Sequence, residues 1–328
     1  MNAELASVEQ VWDWLDRLNF PIHAANVEPN RAVGRALMLE YRAPHGLPQF
    51  DIAAISGVAV PARQTIGAGP YNPMKVQAGS VRAGEPMPPG TDAVMAEDAV
   101  EDGLALDSVA IGEGVIAANS QLRRGELIFP AGHVLRAQDV AVLTELGLPR
   151  LAVRCGLQVA GDVPSELEEL RSALLWRDLS QWDASGELVI TTLPRASDRW
   201  EIGAVAMRPA TFCRFGRRDT RPAICLPPDP LGFTLGHDLF ASRVLRRIAG
   251  LPAAHPATQA LLAEKIASSI GHTDLVLVRM EQGRAHPLPF ADAAGAAGLA
   301  RADGFVVVPA MREGFQEGTL VTVQLLAS

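Results

Sequence analysis

The sequence predicts a multi-domain chain in which an α/β layer is combined with β-rich segments. Its 328 residues allow about two domains of ~100–200 residues each, with sizeable cores. Between residues 153 and 252, strand-like and helix-like stretches follow one another as strand, helix, strand, strand, helix, the pattern of helices layered on a sheet. On either side, short apolar runs are punctuated by glycine and proline, of which the chain holds 29 and 24. That density of turn residues favours short strands over a helical bundle.

Composition narrows the function. Apolar residues make up 48% and charged residues 20%, the balance of a folded globular chain. With 29 basic against 37 acidic residues the net charge is −8, so no basic field exists to hold a nucleic-acid backbone. No apolar run approaches the ~18–20 residues of a membrane span. The N-terminal stretch MNAELASVEQVWDWLDRL is acidic and lacks the basic and apolar regions of a signal peptide. Cys155, Cys213 and Cys225 stand far apart with no CxxC spacing, which argues against a disulfide framework or structural zinc. A reduced, cytoplasmic setting is expected.

In chain order, Ser7 and Gln10 form a capping-box pattern before Val8, Val11, Trp12, Leu15 and Leu18, which recur at helical spacing until Asn19 and Pro21. From Ala43 to Ile128 the stretches GVAV (57–60), MKVQAG (74–79), TDAVMAED (91–98) and LALDSVAI (104–111) read as strands of a compact all-β module. A helix is expected within 136–147, beginning at Gln138/Asp139 and stopped by Gly147 and Pro149. LPRLAV and LQVAGD suggest two short strands. SELEELRSALLW (165–176) is amphipathic, with Leu167, Leu170, Leu174 and Leu175 on one face. ELVITTL (187–193) and RPAICLP (221–227) read as buried strands. Leu231 to Ala249 reads as one long helix closed by Arg246, Arg247, Gly250 and Pro252. PAAHP (252–256) reads as a linker, and TDLVLVRM, DGFVVVPA and GTLVTVQLLA as strands of a β-rich tail.

Local motifs do not name an activity: there is no GxGxxG, Walker A, HExxH or GxSxG. His237 and Asp238 read as a surface pair on the long helix. Glu97, Asp98, Glu101 and Asp102 could offer oxygen ligands to a hard cation, or form a solvated acidic turn. Asp198 and Asp229 each follow a predicted strand, at the sheet edge where open α/β layers bind ligands. Both read equally as ordinary loop acids, and Asp229 is also placed to cap the helix after it.

Several segments together carry a resemblance. LPQFDIAAISGVAV (47–60) is similar to Leu-Pro-x-Phe-Asp-x-Ser-Ala-Met-Asp-Gly-Tyr-Ala-Val, and VRAGEPMPPGTDAVMAED (81–98) to Thr-Gly-Ala-Pro-Leu-Pro-x-Gly-Ala-Asp-Ala-Val. NSQLRRGELIFPAGHVLRAQDVAVLTELG (119–147) matches Asn-x-Arg-x-x-Gly-Glu-Asp and its following helix. AMRPATFCRFG (206–216) and ICLPPDPLGFTLGHDLFASRVLRRIAG (224–250) resemble Lys-Pro-Gly-Lys-Pro and Leu-Pro-Gly-Asn-Pro-x-Ser. ADGFVVVPAMREGFQEGTLVTVQLL (302–326) looks like a C-terminal β-barrel. These motifs, in this order, resemble the molybdopterin molybdotransferases, the MoeA and gephyrin E-domain family. The resemblance implies an elongated homodimer. Each subunit would hold a helical linker domain (1–45 and 128–152), an inserted β module (46–127), a shortened molybdopterin-binding-like α/β domain (153–252) and a C-terminal β domain (253–328). The family reaction joins molybdate to adenylylated molybdopterin and releases AMP, with magnesium held by carboxylates.

Departures fall where that chemistry needs particular groups. Ser56 stands for the Asp of Met-Asp-Gly, Val58 for its Tyr, and Leu127 for the Asp of Gly-Glu-Asp. Thr211 replaces the second Lys of Lys-Pro-Gly-Lys-Pro, while Arg208 keeps a charge at the first. Pro228 and Asp229 replace Gly and Asn of Leu-Pro-Gly-Asn-Pro. Gly161–Asp162 matches part of Thr-Gly-Asp-Glu, and TTLPRASD replaces a glycine-rich phosphate loop, keeping only Asp198. A hydroxyl is no substitute for a carboxylate on magnesium. Proline removes an N–H where a phosphate would approach. The resemblance thus marks Ser56, Asp162, Arg208 and Thr211 for the cofactor, Asp198 and Asp229 for catalysis, and Glu97 and Asp98 for metal. Three readings follow: a non-catalytic scaffold or accessory protein serving another cofactor-biosynthesis protein or a molybdoenzyme; an active divergent molybdotransferase; and a molybdopterin carrier.

Overall fold

The computed structural model describes residues 5–289 and 295–326. The chain divides into two compact units, Met1–Met38 with Leu151–Ser328, and Leu39–Arg150.

In the first unit, helix α1 (Val8–Asp16) begins at the expected box. Ser7 Oγ accepts the Gln10 N–H at 3.2 Å, and Gln10 Oε1 accepts the Ser7 N–H at 2.8 Å. Val8, Val11 and Leu15 are buried on one face. The strand Ala24–Val27 pairs antiparallel with Leu151–Arg154, so the chain leaves and re-enters this unit along one ribbon.

The α/β layer holds β1 (Gln158–Ala160), α2 (Ser165–Arg177), β2 (Gln181–Trp182), β3 (Leu188–Thr191), β4 (Arg199–Ile202), β5 (Arg214–Arg218) and β6 (Arg221–Cys225). The six strands lie in the order β2-β1-β3-β6-β5-β4. The first four run parallel, and β5 and β4 add an antiparallel edge. Every residue of β3 is buried, as the apolar run LVIT requires of a central parallel strand.

The two faces of the sheet differ. Val159, Leu188, Ile190 and Ile224 join the main core with Val11 and Leu15 of α1 and Leu167 and Leu175 of α2. On the other face Ala160, Val189 and Ala223 form a separate small cluster with Trp200. Register aligns them in one row, Ala160–Val189–Ala223–Gly216–Trp200, across five strands. The helices therefore cover one face, and the row of small side chains leaves a shallow floor on the other.

The single helix expected from Leu231 to Ala249 is corrected. It comprises α3 (Pro230–Gly236), a π turn (His237–Ala241) and α4 (Ser242–Ala249). In the turn the Ser242 N–H reaches back five residues to the His237 carbonyl. The Trp12 indole N–H takes the Leu239 carbonyl at 3.1 Å, and a side chain drawn into the helical ladder is a recognised cause of such a bulge. Gly250, at φ 76°, ends α4 in the left-handed region. A second correction follows from the turn. His237 and Asp238 are no surface pair: they are 1% and 6% exposed. His255, within the expected linker PAAHP, is buried as well.

Strands β7 (Ala257–Leu262), β8 (Thr273–Glu281), β9 (Arg284–Pro287), β10 (Gly304–Val308) and β11 (Leu320–Leu325) close a five-stranded barrel in the order β8-β9-β7-β11-β10 and back to β8. Leu262, Val278, Ala285, Val306 and Val323 fill it. Closure leaves no long free edge. β8, β10 and β11 are the three expected strands. β9 is only four residues long, and β7 (ATQALL) has neither period-two alternation nor apolar β-branched residues to mark it.

The Leu39–Arg150 unit is built from short strands. Gly57–Val60 lies between Gly79–Val81 and Ala93–Met95, and Leu104–Ala105 between Met74–Lys75 and Val100–Glu101. Helix Asp139–Glu145 starts as expected. Of LALDSVAI only Leu104–Ala105 is strand; beyond it the Asp107 carboxylate accepts the Ser108 N–H and turns the chain.

Candidate functional site

The α/β layer carries a polar crevice of about 180 Å³ on the face without helices. Ala160, Gly161 and Asp162 line it at the carboxyl end of β1, with Trp182 of β2 and Ala184 after it, Val189 of β3, and Arg195, Arg218 and Arg221. Each position follows from local structure. Gly161, at φ 127°, brings the chain so close to β3 that a Cβ would stand 2.1 Å from the Ile190 carbonyl oxygen. The β5–β6 hairpin turns through Asp219 at φ 56° and sets Arg218 directly opposite Arg221. Like charges so opposed repel, and acids and carbonyls answer them.

Arg218 is the centre of that answer. Its Nε and Nη2 each donate at 2.8 Å to the Asp198 carboxylate, and Nη2 also donates to the Leu193 carbonyl at 2.9 Å. The two side chains are 2% and 0% exposed. Hydrogen bonds from Arg218, against the opposing effect of burial, hold the Asp198 carboxyl below its ordinary value. The Arg195 backbone N–H also donates to Asp198, and the Arg195 guanidinium pairs with Asp162 at 2.7 Å. Arg221 donates to the Ala184 and Gly186 carbonyls. The Trp182 indole N–H donates to the Gly161 carbonyl at 3.2 Å, with the Arg171 guanidinium 5.4 Å over its ring.

The structure brings Asp162 and Asp198 together through Arg218, whose Nη1 lies 3.9 Å from Asp162. Asp229 caps α3, accepting the Gly232 N–H at 2.8 Å. Arg208 stands apart, at the start of β8, in a two-bond pair with Asp274 at 2.7 Å that Ser268 also joins. Thr211 donates to the Met207 carbonyl. Ser56 Oγ accepts the Ala83 N–H, and Glu97 and Asp98 open an exposed 3₁₀ turn, all three in the Leu39–Arg150 unit. That unit has its own open concavity of about 630 Å³, walled by the Asn119–Glu126 loop alone.

Chemically, the crevice offers arginine N–H groups and an indole face, suited to a small anion or a planar ring. Its lining holds no histidine; Asp198, behind it, is bonded on both oxygens by Arg218, and Asp162 is paired through one oxygen with Arg195. The lining does not suit a divalent cation, because Arg195, Arg218 and Arg221 set positive charge around its one lining carboxylate. Among the described residues no three His, Cys, Asp or Glu side chains converge to hold a metal. Sequence reading missed Trp182, Arg195, Arg218 and Arg221; the run RFGRRDTR flanking a hairpin turn was the available signal.

Residues 6–147 match the family model of the MoeA N-terminal region (domains I and II), and residues 259–326 that of the MoeA C-terminal region (domain IV). The chain is 22% identical over 401 aligned positions to a Methanocaldococcus jannaschii protein named for molybdopterin biosynthesis, covering 99% of this chain and 97% of that one. An alignment longer than the chain means the relative carries segments absent here. Molybdopterin molybdenumtransferase 2 of Mycobacterium tuberculosis is 26% identical, over 74% of this chain and 79% of its own. The crystal structure of the molybdopterin biosynthesis MoeA protein from Pyrococcus horikoshii superposes with a TM-score of 0.84 at 20% identity, covering 99% of this chain and all of that one. A molybdenum cofactor biosynthesis protein of Pyrococcus furiosus gives 0.68 at 17% identity, covering 98% and 100%.

Proposed function

Because the chain belongs to the MoeA family of molybdenum-cofactor biosynthesis proteins, we propose that it serves cofactor maturation as a non-catalytic scaffold or accessory protein. The observation that carries this reading is the engagement of the crevice acids: Asp198 is bonded on both oxygens by Arg218, and Asp162 is paired with Arg195. A crevice of about 180 Å³ also falls below the ~300 Å³ from which enclosed ligand pockets begin. Each missing electrostatic contact to a transition state typically costs ~2.7–4 kcal/mol, or ~10²–10³ in rate.

The test supplies purified protein with adenylylated molybdopterin and molybdate and follows AMP. The expected result is no molybdate-dependent release above the protein-free rate. Sustained release that Asp198→Ala abolishes would instead make the chain an active transferase, the activity named for its Mycobacterium tuberculosis relative. A carrier role draws support from the indole of Trp182 and the guanidinium of Arg221, which line the same crevice, and predicts pterin binding without turnover. In the scaffold reading the chain works as a homodimer, so light scattering at micromolar concentration should give twice the 34.9 kDa chain mass. A monomer removes that part of the reading. No described helix is long and apolar enough to cross a membrane.

A further inference from the structure

The π turn gathers a second set of ionisable side chains, away from the crevice. His237 and Asp238 face inward there. With them stand Arg177 and Asp178 at the end of α2, Arg246 of α4, and His255 from the connection into the barrel, while Ser242, the residue after the turn, is buried with its hydroxyl unpartnered. Asp178 and Ser242 are 0% exposed.

Their direct bonds are too few. Arg177 Nη2 donates to Asp238 Oδ1 at 2.6 Å and lies 3.4 Å from His237 Nδ1 and 3.5 Å from His255 Nε2. The groups around Asp178 stop at 3.5 Å (the Arg246 guanidinium), 3.7 Å (the Arg177 guanidinium) and 3.9 Å (His237 Nδ1). Both Asp178 oxygens, Asp238 Oδ2, Arg177 Nε, Ser242 Oγ, His237 Nε2 and His255 Nδ1 are closed off from solvent with no hydrogen-bond partner. A buried ion cluster left half-bonded is worse than an apolar one.

Chemistry selects what completes it. Two carboxylates face two guanidinium groups, so the charge already balances. Arg177 Nη2 is the donor nearest His255 Nε2, an arrangement that suits the tautomer with its proton on Nδ1. The unmatched atoms are then three carboxylate acceptors, three donors (Arg177 Nε–H, Ser242 O–H, His255 Nδ1–H), and His237 Nε2, which can play either part. Among the described residues no three side chains can hold a metal here. A small neutral molecule that donates and accepts equally is required, and water is that molecule.

We propose that the π turn encloses an internal hydration site, in which bound water bridges Asp178 and Asp238 to Ser242, His237 and His255 and so ties α2, the π turn and the barrel connection into one polar joint. The joint needs His255 neutral, since a further positive charge would stand uncompensated beside Arg177 and Arg246. Burial pushes the His255 imidazole below its ordinary value, with Asp238 and Asp178 pulling against Arg177 and Arg246. Folding thus excludes a proton that the unfolded chain accepts, and the joint weakens as pH falls below ~6.5.

A crystal structure of the whole chain at a resolution that shows ordered water tests the site directly. Density within hydrogen-bond distance of Asp178 and Ser242 is expected. Direct carboxylate–guanidinium bonds with no such density, or an anomalous metal peak, would overturn it. Hydrogen exchange of the Leu251 amide, which donates to the Arg246 carbonyl beside the joint, tests it. After correction for intrinsic rates, it should speed up progressively as pH falls from 7.5 to 5.5, since the His255 imidazole resists protonation in the folded chain. The His255→Gln profile should be flat. An equally flat wild-type profile would remove the role of His255.

Discussion

Arg218→Ala should lower the stability of the α/β layer by about 3–5 kcal/mol, the usual result of breaking a buried ion pair from one side. The substitution strands the Asp198 carboxylate, 0% exposed, with only the Arg195 backbone N–H, and leaves the Leu193 carbonyl short of a donor. All five tryptophans lie in the unit of Met1–Met38 with Leu151–Ser328, so fluorescence during urea unfolding reports that unit alone. The pair Arg218→Met with Asp198→Leu should recover most of the loss, because apolar groups of similar volume replace a buried pair at little cost. A loss under ~1 kcal/mol for Arg218→Ala would mean water reaches the pair, as at an exposed bridge. The acid dependence has a defined sign. Asp198 is held below its unfolded value, so its contribution is full above pH ~3.9 and is lost as pH falls through the lowered value. The double variant should show a flatter acid limb than the wild type.

Gly161→Ala is expected to be the other severe change, at least ~3 kcal/mol on the same measurement. The new Cβ would meet backbone rather than a yielding side chain, 2.1 Å from the Ile190 oxygen and 2.7 Å from its carbonyl carbon, at a φ of 127° that favours glycine. Relief requires β1 to move off β3, which carries Asp162 away from Arg195 and opens the crevice. Gly203→Ala is the control: no atom lies within 4 Å of the place its new methyl group would take, and its φ is unexceptional. It should change stability by no more than ~0.5 kcal/mol. Equal effects from the two glycines would show that the close approach of β1 to β3 does not constrain position 161.

Where short-range signals decide an element, it can be read directly. The Ser7–Gln10 box starts α1, the run LVIT is a fully buried strand, and Gly250 ends α4, because capping, burial and left-handed backbone are set within a few residues. Family motifs likewise place both matched regions. The same signals misread 231–249: the helical period is correct, but nothing local marks the bulge at 237–241, where the Leu239 carbonyl accepts from Trp12, over two hundred residues away. The His237–Asp238 pair lies in the interior rather than on the surface.

The site follows the same division. Asp162 and Asp198 are marked by their motifs, while Arg218 and Arg221 belong to none. Sequence alone determined the family, the order of elements and which acids survive, since these are properties of residues and their spacing. Only the tertiary structure decided that Asp198 is occupied by Arg218 and that two aspartates, two histidines and two arginines share one buried space. Those outcomes depend on strand register and on a one-residue bulge, which bring distant charges within hydrogen-bond range and are set by packing across the whole unit.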